Sequence, residues 1–221
     1  MHDRHSIMVS CVAIMLVALV SCKVEKLRSD APQIPTITLT QYKGAPAFTP
    51  DGDLIEPMWK SATATLPFVN PGSGTQLTGS FQGRARLTWD ASALYVAFQV
   101  EDHAPSSPFT PHMEDPHIWS KASGVEVMIQ PGNFKDNKHY FEIQADVNGA
   151  LWDTHFQDYN RPIRGRGKRR TYGHQQWKGR ARIGVKKQKH GYTLELALPW
   201  RSFSIGVPPG RRNNITPDYG D

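Results

Sequence analysis

The stretch RLTWDASALYVAFQVED, from Arg86 to Asp102, decides the fold class. Leu94, Val96, Phe98 and Val100 alternate with Tyr95, Ala97, Gln99 and Glu101, a period of two that belongs to a strand and not to a helix. Asp90-Ala-Ser92 is a short polar break before it, and Arg86 to Trp89 leads into that break. The segment therefore reads as a β-hairpin with one apolar, buried face.

The same period recurs on both sides. Gly124 to Gln130 sets Val125, Val127 and Ile129 against Glu126, Met128 and Gln130. Tyr140 to Val147 sets Phe141, Ile143, Ala145 and Val147 against Tyr140, Glu142, Gln144 and Asp146. Both are expected to be half-buried strands. Asn148-Gly149 follows and signals a type I′ turn into Ala150 to Phe156, because that turn needs positive φ at both central residues. Arg180 to Lys187 and Tyr192 to Leu198 form a further hairpin, with Leu194, Leu196 and Leu198 on one face. Shorter strands are expected at Ala45 to Phe48 and Leu66 to Val69, and helical turns are expected around Pro57 to Trp59 and after Pro199. Eight or so short strands with almost no helix predict an all-β, antiparallel β-sandwich.

The first residues carry Arg4 and then an apolar run from Ile7 to Val20, too short for a membrane span of roughly 20 residues and suited to an export signal. The run ends in Leu19-Val-Ser-Cys22, which resembles a bacterial lipobox. Cys22 is then the lipidation site, residues 1–22 are a lipoprotein signal peptide, and 23–40 are a polar linker before a domain at 41–221. The chain is expected in the bacterial cell envelope, anchored to the outer membrane or cell surface. With Cys11 inside the signal, no cysteine remains as nucleophile or metal ligand.

The net charge of +6 is unevenly distributed: residues 161–190 hold twelve Lys or Arg and no Asp or Glu, leaving 14 basic against 20 acidic residues elsewhere. For an exported chain this basic stretch reads as a solvated loop or a membrane-surface contact, not a nucleic-acid site.

Five segments in order carry a family resemblance: Asp51-Gly-Asp-Leu-Ile-Glu-Pro-Met-Trp59, the hairpin above, Ile118-Trp119 before Gly124-Val-Glu-Val127, Tyr140-Phe-Glu-Ile143, and Leu194-Glu-Leu-Ala-Leu-Pro-Trp200. Together they resemble carbohydrate-binding module family 9 and its DOMON-like relatives over about 51–205. The resemblance implies a non-catalytic, sugar-binding sandwich in which two tryptophans clamp a pyranose, polar side chains bind its hydroxyls, and structural calcium is present. Polysaccharide or oligosaccharide is the implied partner, in capture or breakdown of polysaccharide.

Carried over by position, Trp119 is the first clamping tryptophan and Glu126 the hydroxyl-binding carboxylate. Glu142 and Gln144 fall where the xylanase modules use an arginine and an asparagine. The strands that supply the family's second clamping tryptophan have no counterpart before Asp221, so the expected module is short at its C-terminus. Trp152 and Trp177 border loops and are the candidates for that missing partner. Trp59, Trp89 and Trp200 read as core plugs.

Asp102, at a strand end beside the long loop that follows, is the candidate calcium ligand. Histidines 103, 112, 117 and 139 lack the close spacing of a zinc site. No nucleophile elbow or phosphate-binding loop is present. Glu126 and Glu142 could in principle serve as paired carboxylates of a glycosidase. Two further readings remain at this level: a haem-binding DOMON-like domain using Met113 with His112, Met128 or His139, and a degenerate module with a structural role.

Overall fold

The computed structural model describes residues 36–44, 48–77, 79, 81–132, 134, 136, 138–165, 167 and 170–204. Cys22, the signal, most of the linker and the segment after Ser204 lie outside the described residues. The strands are β1 (Thr63–Ala64), β2 (Gln82–Trp89), β3 (Ala93–Glu101), β4 (Gly124–Ile129), β5 (Tyr140–Asp146), β6 (Leu151–Phe156), β7 (Gly173–His174), β8 (Arg182–Gln188) and β9 (Gly191–Pro199). Helix α1 spans Pro57–Ser61, and a 3₁₀ turn spans Trp200–Ser204. All named pairings are antiparallel, in two sheets ordered β1-β2-β3-β9-β8 and β4-β5-β6-β7. The expected β-sandwich is the observed architecture.

The sheets face each other across Leu94, Val96, Phe98, Leu194, Leu196 and Leu198 on one side and Phe141, Ile143, Ala145 and Val147 on the other. At one end Phe141 meets Trp177 and Phe203 with ring centroids 4.7 and 5.2 Å apart. Aromatic pairs in this range add to the burial of their area. Trp177 is thereby a core residue, its indole N–H donating to Ser202 O at 2.9 Å, and not a sugar clamp.

Four sequence readings are corrected. Leu66 to Val69 is not a strand: Leu66 is exposed, and the edge of the first sheet is Thr63–Ala64, paired to Leu87 and Arg86. Of the expected strand at Ala45 to Phe48, only Phe48 is described; it is not in a strand. Asn148-Gly149 does not form a type I′ turn, since only Gly149 has positive φ. Asp146 O accepts the Gly149 N–H at 3.0 Å, and the Asp146 carboxylate accepts the N–H groups of Asn148 and Ala150, holding a three-residue loop instead.

The fourth correction concerns burial: β3, β5 and β9 are covered on both faces over most of their length. On the outer face of the first sheet, Ala93, Tyr95, Ala97 and Ala197 pack under Phe48, Met58 and Trp59, a layer that alternation alone does not reveal. The segment before Tyr42 is already bound to the sheet, because Thr88 Oγ donates to Thr40 O at 2.7 Å and Tyr42 N to Trp89 O at 2.7 Å.

Asp51-Gly52 lies over β8 so closely that a Cβ on Gly184 would stand 2.3 Å from Asp51 N and Pro50 C. Both are backbone atoms, so the whole segment would have to lift. Gly184→Ala is expected to destabilise by about 1–3 kcal/mol, the range of overpacking, seen as a lowered midpoint in urea unfolding.

Candidate functional site

Strand register places Glu126, Gln144 and Trp152 side by side on the outer face of the second sheet, with Met128, Glu142 and Thr154 in the next row. Their odd-numbered neighbours point into the core, so alternation alone delivers a polar outer floor. Tyr140 and Phe156 stack at 4.8 Å beyond it, with Tyr159 against Phe156. Glu142 and Gln144 are only 7% and 6% exposed, whereas Glu126 and Met128 stand open at the β4 edge.

Gln144 organises the floor. Its amide nitrogen donates to Glu126 Oε1 at 2.8 Å and to Glu142 Oε1 at 3.0 Å, and its carbonyl oxygen accepts the backbone N–H of Trp119 at 3.1 Å. The amide orientation follows from this network, since the carboxylates accept only and the peptide N–H donates only. The bond to Trp119 pins the loop that holds the indole, and the indole itself is 66% exposed. His117 packs edge-on against it at 5.5 Å. Thus all four sugar-site residues predicted from sequence, Trp119, Glu126, Glu142 and Gln144, are brought into one cluster. The organising role of Gln144 had no signal in the sequence, because it depends on which loop crosses the strand.

Burial pushes the Glu142 carboxyl up to about 8, with further help from its hydrogen bond to Glu126 and from that neighbour's charge. The neutral Glu142 carboxyl donates its proton to Glu126. On the core face of β6, burial and the nearby histidines 139 and 174 lower His155 to about 4. These two shifts act in opposite directions on stability. The folded state retains a proton on Glu142 that the unfolded chain loses above about pH 4.5, so stability falls as pH rises from there to about 8. It refuses a proton on His155 that the unfolded chain takes up below about 6.5, so stability also falls as pH drops from there to about 4. Thermal stability is therefore expected to peak between about pH 4.5 and 6.5, with limbs of at most about 1.4 kcal/mol per pH unit per group. Melting curves across pH check this, and Glu142→Gln is expected to flatten the alkaline limb.

Asp102 braces a loop. Its Oδ1 accepts the Ala104 N–H at 2.9 Å and its Oδ2 the Ser123 hydroxyl at 2.6 Å, so it closes the loop that carries Trp119. Ser107, hydrogen-bonded to the Asp146 carboxylate, and Asn148, donating to Ser107 O and Phe109 O, fasten the same loop from beneath. Asp102 belongs to no group of three metal-capable side chains among the described residues. The one group of three metal-capable side chains found there is Asp51, Glu56 and Glu195, with ligand atoms within 4.8 Å of one another. All three offer oxygen, which suits a hard cation such as calcium. His155 and His174 lie with ring centroids 5.8 Å apart, and they belong to no group of three metal-capable side chains among the described residues.

Trp59 and Trp89 are buried, and Trp200 packs against the core with its indole N–H on Asp90 O at 2.7 Å, as their reading as core plugs requires. Trp152 stands half-buried beside Gln144 on the outer face.

The family model "Carbohydrate family 9 binding domain-like" matches residues 51–214. The chain belongs to this family. A carbohydrate binding module of family 9 from Caldicellulosiruptor kristjanssonii, solved with cellotriose, is similar at 19% identity and TM-score 0.45, covering 71% of this chain and 64% of that one. The same module solved with glucose is similar at 19% identity and TM-score 0.45, with 72% and 66% covered. This chain thus spans slightly less than two thirds of that module's length. A candidate carbohydrate-binding protein from Bacteroides uniformis is similar at 13% identity and TM-score 0.51, with 73% and 72% covered, and shares the fold of this family 9 domain. No curated protein matches the chain.

Proposed function

We propose that this family 9 domain is a non-catalytic module that holds a glycan against the outer face of its second sheet. Trp119 covers the apolar face of a pyranose ring, and Glu126, Glu142 and Gln144 address the groups on its edge. The carrying observation is the exposed indole whose backbone N–H is held by a buried glutamine that also binds both glutamates. A bulky apolar group is kept in water on a braced loop, as a stacking platform requires.

Half-buried Trp152, in the same row, supplies the second aromatic wall. Lipidation at Cys22 places the module in the bacterial cell envelope, and incorporation of labelled palmitate lost in Cys22→Ser checks that part. A structural calcium ion would be held by Asp51, Glu56 and Glu195, and a melting temperature lowered by chelator and restored by calcium is the expected result.

Calorimetric titration of the full-length chain with cellotriose, glucose and a panel of other oligosaccharides tests the main reading. Saturable binding of at least one glycan is expected. Failure to bind any, with the fold intact by circular dichroism, overturns it.

A further inference from the structure

This inference rests on the carbohydrate reading above and concerns the chemistry of the sugar. Gln144, at the centre of the polar floor, has used its own donors. Both amide hydrogens of Gln144 go to Glu126 and Glu142, and its carbonyl is taken by Trp119 N. What the glutamates present to a ligand is acceptor capacity and negative charge. Among the described residues, no lysine or arginine forms an ion pair with either glutamate. A neutral hydroxyl donates one hydrogen bond and also needs a donor for its own oxygen, whereas a primary ammonium donates three and accepts none.

We propose that the glycan bound here carries free amines, with the ammonium group of a hexosamine unit seated between Glu126 and Glu142 while Trp119 covers its ring. The indole favours the same ligand, because a cation beside its face is attracted by the ring's quadrupole. The ammonium takes the place of the proton that otherwise relieves the two carboxyl groups, and that proton leaves to solvent. The other titratable groups beside this spot are Tyr140 on β5 and His117, whose ring packs edge-on against the Trp119 indole. Affinity for the amine should therefore rise as pH increases towards about 8, as release of the proton becomes easier, for as long as the amine itself stays protonated. The chain as a whole carries a net charge of +6, which opposes non-specific attraction of a cationic sugar, so a preference for one must arise locally.

Titration of the full-length chain with short oligomers of glucosamine, of N-acetylglucosamine and of glucose tests the proposal. The glucosamine oligomer is expected to bind at least about tenfold more tightly than the other two. The ratio of its affinity to that of the N-acetylated oligomer should fall towards unity in Glu142→Gln, and also in Glu126→Gln, an exposed position where folding is not at risk. Binding of the neutral oligomers without preference for the free amine overturns the proposal and leaves the carbohydrate reading standing. A preference that survives both substitutions also overturns it. Failure of all three oligomers to bind removes both.

Discussion

Trp119→Ala is expected to lower affinity for any glycan the domain binds by roughly thirtyfold or more, equivalent to about 2 kcal/mol, the scale of an aromatic residue that dominates a binding surface. Nothing comparable should happen to stability. The indole is two thirds exposed and its loop is held by the backbone N–H, which alanine retains. A change in unfolding free energy within about 0.5 kcal/mol is expected, as for surface substitutions generally. Calorimetric titration together with urea unfolding separates the two quantities. Unchanged affinity would remove Trp119 from the site.

Glu195→Ala is expected to have the opposite profile, a loss of about 3–5 kcal/mol in stability, because three N–H groups lose their acceptor at once. Glu195 is fully buried on the outer face of β9, where its Oε2 accepts Asp51 N at 2.9 Å and Gly52 N at 2.7 Å, and its Oε1 accepts Trp59 Nε1 at 2.6 Å. Burial and the neighbouring Glu56 raise its pKa, and the three donors offset part of that rise. Glu195→Gln should lose less, since it keeps the volume and one acceptor oxygen. Urea midpoints of the two variants check the order. A midpoint for Glu195→Ala equal to that of the parent would show that this clasp does not stabilise the fold.

Glu195 also explains a pattern visible in the sequence without its reason. The Asp51 to Trp59 and Leu194 to Trp200 segments were both singled out as motifs, yet they stand more than 130 residues apart. One buried carboxylate joins them, and the Asp51-Gly52 turn exists to aim two N–H groups at it. The signal available in the sequence was a glutamate placed between leucines in a strand otherwise apolar, a residue that burial tolerates only when it is hydrogen-bonded.

Side-chain alternation was enough to locate β3, β4, β5 and β9, because strand geometry sends successive residues to opposite faces whatever the partner. The same rule placed Glu126, Glu142 and Gln144 on the polar face and left Phe141, Ile143 and Ala145 for the core. The order of motifs was enough to single out Trp119 as the proposed stacking residue. Leu66 to Val69 was misread because an apolar tetrapeptide between turns has no strand partner until the neighbouring chain is in place. Asn148-Gly149 was misread because Asp146 captures the loop with its own carboxylate.

The second layers could not be seen in the same way. Tyr95 and Ala97 could have faced water, and they are buried because residues 48–62 cross over them. Glu142 could have been an ordinary surface carboxylate, and it holds a proton near neutrality because it is buried beside Glu126. Asp102 could have been a plain solvated strand end, and it closes the Trp119 loop because Ser123 and Ala104 reach it. Periodicity is a property of one strand and its two faces, so it is written locally. What covers each face depends on contacts between residues far apart in the chain, and those exist only once the chain has folded.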